Sequence, residues 1–172
     1  MVRERLRGFL TRVSGLALLL TALAAELPAQ SKAISTQDLA RRAEVVAVGK
    51  VSGLASQWNE SHSRIFTRVT LSVDQYIKGG TAGQPLSIVV PGGEVDGVGE
   101  VYSHTATFRR DESVLVFAEK DRQGNYGVSA GREGKFSIRK DDVTGIAMVG
   151  GNMTLEQFTA SVRKLIEVQN QK

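Results

Sequence analysis

The 172-residue chain contains no cysteine, so it can form no disulfide and can carry no lipid on a cysteine behind an export signal. It has two histidines. A catalytic zinc takes about three protein ligands, so zinc chemistry here needs a carboxylate from elsewhere. No Gly-x-x-x-x-Gly-Lys-Ser/Thr sequence occurs, and Gly92, Gly93, Gly97 and Gly99 do not lead into a helix. A phosphate cradle built on a helix N-terminus is therefore excluded. Crossing about 30 Å of hydrocarbon takes roughly 20 apolar residues, and the apolar run Val13–Ala25 has 13. Strong charge of one sign is also missing. Of the net +4, residues 1–29, with four arginines and two glutamates, account for +2, which leaves +2 for the remainder. That balance gives no electrostatic argument for a polyanion, and no nucleic-acid partner is expected.

What is present begins with an address. Arg3, Arg5, Arg7 and Arg12 precede Val13–Ala25, and small residues follow at Ala24, Ala25 and Ala29. A basic segment, a short apolar core and a small-residue exit predict an export signal over residues 1–29. Cleavage is expected after Ala29, with Ala24 and Ala25 as alternative exits and an uncleaved anchor as the alternative fate. The product, residues 30–172, is periplasmic or extracellular, has no stable membrane span, and is long enough for one ordinary core without covalent staples.

Its pattern predicts an α+β, mainly β domain. Ser35 and Asp38 mark the start of a short helix before Leu39–Ala43. The run Val45–Val48 turns to strand, with Gly49 and Gly53 expected at bends or bulges. From Ile65 to Ile77 apolar and polar residues alternate: Ile65, Thr67, Val69, Leu71, Val73 and Ile77 on one face, Phe66, Arg68, Thr70, Ser72, Asp74 and Tyr76 on the other. The polar run Trp58–Ser63 joins the two strands as a hairpin loop, and residues 78–83 form a turn. Further strands are expected at 86–90, 114–117, 126–128 and 135–138, the last two paired across Gly131–Gly134. Thr154 and Gln157 form a capping box for a C-terminal amphipathic helix over about 153–168, with Leu155, Phe158, Val162, Leu165 and Ile166 on one stripe. The expected architecture is a small antiparallel barrel over about 43–140, flanked by the two helices.

Ala43–Val51, the alternating strand 65–77 and its exit Tyr76-Ile77-Lys78-Gly79 resemble the netrin-like module found in tissue inhibitors of metalloproteinases. The chain is also similar to exported bacterial proteins of unassigned function with an Ala-Glu/Asp-Val-Val-x-Val-Gly-x-Val, Lys-Gly and Pro-Gly-Gly pattern. The resemblance implies a barrel of the oligonucleotide/oligosaccharide-binding type over roughly Leu39–Ile138. The inhibitors act through an N-terminal cysteine that binds the protease zinc. This chain lacks it, so their mechanism does not carry over.

Candidate chemistry is sparse. Gly127-Val128-Ser129-Ala130-Gly131 satisfies the Gly-x-Ser-x-Gly pattern, but a strand rather than a helix is expected after it, and both histidines precede Ser129. A small-residue strand end is the better reading. In the loop 91–104, Glu94, Asp96 and Glu100 supply oxygen ligands among four glycines, yet the spacing fits no EF-hand and calcium needs six to eight oxygens. No metal and no cofactor is expected, and the loop reads as a solvated glycine-rich connection. Trp58 either covers the barrel end or is a recognition aromatic, with His62 in the exposed hairpin and His104 near a strand start. Arg109, Arg110, Arg132, Lys135, Arg139 and Lys140 read as the solvating outer side of a sheet. Asn59 and Asn152 head glycosylation sequons, relevant only in a eukaryotic secretory route. The leading expectation is a non-enzymatic module that contacts a secreted or envelope protein through Trp58, His62, Glu94, Asp96, Glu100 and His104. The alternatives are a protease-directed inhibitor and a metal-dependent hydrolase using Glu94, Asp96 and His104.

Overall fold

The computed structural model describes residues 34–171. The expected signal segment and its expected cleavage positions lie outside them. Helix α1 (Thr36–Arg42) starts where expected: the Ser35 hydroxyl accepts from the Asp38 amide at 3.1 Å. Strands β1 (Val45–Trp58) and β2 (Ile65–Lys78) follow, each of 14 residues. Then come β3 (Leu86–Pro91), β4 (Gly93–Val95), β5 (Val98–Glu100), β6 (Ser113–Lys120), β7 (Tyr126–Val128), β8 (Lys135–Lys140), β9 (Ala147–Val149), β10 (Met153–Thr154) and helix α2 (Leu155–Asn170). Strands β1, β2, β3, β7 and β6 pair in that order, and β6 closes back on β1. The result is a five-stranded barrel of the oligonucleotide/oligosaccharide-binding type. Its one parallel contact is Ile88 of β3 beside Tyr126 of β7.

Two apolar clusters share β1 and β6 between them. Val45, Ala47 and Val51 with Val114, Val116 and Ala118 face the barrel interior, against Val69, Leu71, Leu86, Ile88 and Val90. The alternate residues Val46, Val48, Leu115 and Phe117 face outward, where Leu39, Ala40 and Ala43 of α1 and Val162 of α2 cover them. Phe136 of β8 extends this outer layer, with its ring centroid 5.8 Å from that of Phe117 and 5.0 Å from that of Phe158. Burial on both faces is why Val45–Val48 reads as a continuous apolar run rather than an alternation. Each large side chain fully buried this way contributes about 1.5–3 kcal/mol.

The alternation of β2 holds only to Val73. Tyr76 packs with the barrel interior and Ile77 with the outer cluster, the reverse of the expected faces. The register explains the reversal. Val48 lies opposite Gln75 but Gly49 opposite Val73, and Val46 opposite Lys78 but Ala47 opposite Tyr76, so Asp74 and Ile77 are extra residues in β2. Each bulge shifts the pleat by one and exchanges the faces. A third bulge, at Ser52, lies in β1. The two β1 glycines sit beside these irregularities without interrupting the strand.

Three other expectations change. Strands β7 and β8 do not pair with each other; they lie end to end along one edge of β6, β7 against Ala118–Lys120 and β8 against Val114–Val116. Left-handed Ala130 and a 3-10 turn at Gly131–Gly134 redirect the chain between them. The segment after Pro91 is a two-stranded hairpin rather than an irregular connection, because Asp96 and Gly97 both take positive φ, the mirror-image turn that matches strand twist. The sheet also continues past β8 through β9 and β10, which places Met153 and Thr154 in a strand before α2 begins. The capping box is formed as expected, with Gln157 N to Thr154 Oγ1 at 3.1 Å and Thr154 N to Gln157 Oε1 at 3.3 Å. Among the described residues no helix is long and apolar enough to cross a membrane.

The two strand glycines make a discriminating pair. A Cβ on Gly49 lies 2.3 Å from the Ser72 carbonyl oxygen, whereas one on Gly53 meets Thr70 at an ordinary 3.5 Å. Gly49→Ala is expected to lower stability by about 1–3 kcal/mol through overpacking. Gly53→Ala leaves it unchanged or raises it by up to about 1 kcal/mol through unfolded-state entropy. Urea denaturation of the two variants checks the contrast, and equal midpoints refute it.

Candidate functional site

The site arises from unequal strand lengths. Strand β6 covers β1 only from Val45 to Lys50. Two backbone bonds at Val51 (Val51 N to Glu112 O and Asp111 N to Val51 O, both 2.9 Å) end that contact. Arg110 then donates to the Ser52 carbonyl at 3.0 Å. Past this point β1 and β2 continue as a two-stranded ribbon on which Leu54 pairs with Val69 and Ser56 with Thr67. Residues 101–108 and the β4–β5 hairpin lie over this ribbon, leaving a cleft of about 420 Å³ at the barrel mouth. Leu54, Val69, Val90, Ala106 and Phe108 supply apolar lining, while Glu94, Glu100 and Tyr102 contribute polar groups.

Each wall is fixed by specific polar contacts. Ser56 Oγ and Thr67 Oγ1 are 2.9 Å apart, and Thr67 Oγ1 donates to the Gly92 carbonyl at 2.7 Å. Gly93 is required there, because its φ is +137° and a Cβ would lie 2.3 Å from Thr67 Oγ1. Glu100 Oε2 accepts from the Ile65 amide at 3.1 Å and from Tyr102 Oη at 3.0 Å. Arg64 Nη1 donates to Tyr102 Oη at 2.6 Å, tying the β1–β2 loop to the segment that follows the hairpin. The opposite wall is held from β8: Lys135 Nζ donates to the Thr107 carbonyl at 2.7 Å and to Glu112 Oε1 at 2.6 Å, and lies 5.0 Å from the Phe108 ring centroid. Lys135 is thus not the solvating residue that the sequence reading expects; its side chain is 12% exposed because it spans a loop and a carboxylate.

The residues singled out by sequence separate into different places. Glu94 and Glu100 both line the cleft. Trp58 is half-buried and stacks on exposed His62 at 6.2 Å beside the hairpin loop. Asp96 stands at the exposed tip of the β4–β5 turn, and His104 is exposed, its backbone carbonyl accepting from Arg132 N at 3.0 Å. Among the described residues no three His, Asp or Glu side chains gather as a metal site requires, so Glu94, Asp96 and His104 form no such cluster. Ser129 is fully buried with its Oγ unpartnered, and its amide donates to the Phe117 carbonyl at 2.8 Å, so it is no exposed nucleophile elbow. Asn59 of the first sequon is engaged within the loop, where its Oδ1 accepts from the Ser63 and Arg64 amides. Sequence reasoning missed Leu54, Val69, Ala106, Phe108, Tyr102 and Arg64. The available signal was Asp96-Gly97, a hairpin turn pair that folds the connection back over the ribbon.

No protein-family model matches the chain, and no curated protein matches its sequence.

Glu112 is the joint of the far wall. Burial alone raises its pKa, but hydrogen bonds from Lys135, Ser137 and the Arg109 amide, with the Lys135 charge, together hold it below the ordinary glutamate value of 4.5. With the folded pKa depressed, this stabilisation is complete above 4.5 and is lost as pH falls through the lower folded value. Glu112→Gln is expected to cost about 1–3 kcal/mol at pH 7, since it leaves a mostly buried ammonium poorly paired. The gap from wild type narrows toward pH 3. Urea titrations at pH 7, 5 and 3 measure it, and a gap constant with pH contradicts the assignment.

Proposed function

We propose that the chain is an exported, non-enzymatic binding module of the netrin-like type that recognises a secreted or envelope protein through the cleft at its barrel mouth. One observation carries this reading: an apolar cleft of ligand size is bordered by the 92–102 stretch that the sequence marks as a contact surface, and Arg64 of the β1–β2 loop is joined to it through Tyr102. Pockets that bind are concave, mostly apolar and fitted with a few placed polar groups, and barrel mouths are among their usual positions. A rigid barrel that presents loops is a scaffold on which recognition concentrates. Function has to be argued from the site rather than from the fold, and this site offers contact area and hydrogen bonds rather than an assembled nucleophile or metal set. The basic and apolar N-terminal segment supports export.

A photo-reactive benzoylphenylalanine placed at Val101, which is 92% exposed on the cleft rim, is expected to capture a secreted or envelope protein in the producing cell. The same probe at exposed Arg139 on β8 is expected to capture none. Equal adducts from both positions, or none from Val101, overturn the binding reading. N-terminal sequencing of the recovered protein is expected to start at Gln30, and cytosolic protein beginning at Met1 overturns export.

A further inference from the structure

The cleft borders an unfinished sheet. On one side β1 is paired with β2 along its length, but on the other β6 stops at Lys50. Among the described residues the last backbone bonds on that side are those of Val51, so from Gly53 to Trp58 no strand occupies the edge. Backbone amides and carbonyls there can pair with an added strand. The side chains nearest this edge that face inward, Leu54 and Ser56, are cleft wall. A strand laid on the edge therefore points alternate side chains into the apolar space.

Charge narrows the occupant. Among the described residues, the only charged side chains lining the cleft are Glu94 and Glu100, although residues 30–172 carry a net +2. Glu100 is committed to the Ile65 amide and Tyr102. Glu94 is exposed, and no ion pair engages it among the described residues. Val98 and Val101, 48% and 92% exposed, add apolar surface on the same hairpin and rim.

We infer that the cleft and the open edge of β1 receive an extended peptide segment as an additional strand. One bulky apolar side chain sits between Leu54, Val69 and Phe108, and a neighbouring lysine or arginine lies against Glu94. This rests on the protein-binding reading and specifies the partner's chemistry: main-chain pairing supplies affinity, the pocket selects the apolar residue, and the Glu94 carboxylate selects its basic neighbour.

The test uses the full chain and three capped pentapeptides: Thr-Lys-Phe-Lys-Thr, its Glu-flanked counterpart, and the Lys form N-methylated at alternate amides. Amide shifts are read by nuclear magnetic resonance, and hydrogen exchange is followed at 53–58. The expected result is that the Lys peptide shifts residues 53–58 and 92–108 and slows exchange at the edge. The Glu-flanked and N-methylated forms bind at least tenfold more weakly. Exposed Glu94→Gln weakens the Lys peptide by about two- to fivefold, the scale of one exposed ion pair, and Glu94→Lys reverses the preference between the charged peptides. Equal binding of the N-methylated form overturns strand addition, and equal binding of the Glu-flanked form overturns the basic specificity. If no peptide binds while Val101 still captures a partner, this inference fails and the binding module stands. If neither occurs, both fail.

Discussion

Everything in this fold depends on strands β1 and β6 being buried on both faces. Val45, Ala47, Val114 and Val116 fill the barrel, and Val46, Val48, Leu115 and Phe117 carry the helices on its outside. Neither cluster can form without the other, because the same two strands are wall to one and floor to the other. A polar group introduced on either face would lose water with no partner, at a cost of about 1–3 kcal/mol. The outer layer therefore does more than decorate the barrel. It holds the N-terminal half of β1 against β6, and by doing so fixes where β6 stops covering it.

That stopping point creates the site. Beyond Val51 the β1–β2 ribbon runs on without β6, and its interior-facing pairs Leu54–Val69 and Ser56–Thr67 need a cover. The β4–β5 hairpin and residues 101–108 supply one without filling the space. Electrostatic contacts differ in weight here. Lys50–Asp111 at 2.8 Å has side chains 53% and 70% exposed, so solvent and salt screen it and it carries little weight. Lys135–Glu112 is 12% and 19% exposed and also fixes the Thr107 carbonyl, so it governs where the far wall stands. The hydroxyl pair Ser56–Thr67 does the same for the near wall through Gly92.

Sequence reasoning reads the elements that follow one local rule. The barrel with two flanking helices, the Ser35 and Thr154 caps and the alternation from Ile65 to Val73 were all legible, because capping and pleat periodicity are short-range. What escaped depends on distant partners. The face exchange at Tyr76 and Ile77 follows from the Asp74 bulge against β1, which no window of β2 contains. The short strand β9 exists because β8 offers it an edge, and β9 in turn offers one to β10. Lys135 looked like a solvating charge until the fold set Glu112 and Thr107 around it. Glu94 and Glu100 were legible as a polar pair on a loop. The apolar lining was not, since Leu54, Val69, Val90 and Phe108 are ordinary core residues to any pattern that reads composition alone.

The same physics explains why the site carries no motif. Catalytic and metal sites need particular residue types at fixed separations, and those leave spacing in the sequence. A surface that binds by completing a sheet needs only an edge, a pocket and a way to keep other edges away. Natural edges are guarded by bulges, charge or cover. On β1 the Ser52 bulge and the Arg110 guanidinium on the Ser52 carbonyl close the edge at its start. The Trp58–His62 stack stands at its end. Between those guards lie Gly53 to Gln57 beside a cleft lined, among the described residues, by the carboxylates Glu94 and Glu100. An edge guarded in this way at both ends stays open only along one short stretch, and the cleft beside it supplies the apolar contact that a bare edge lacks.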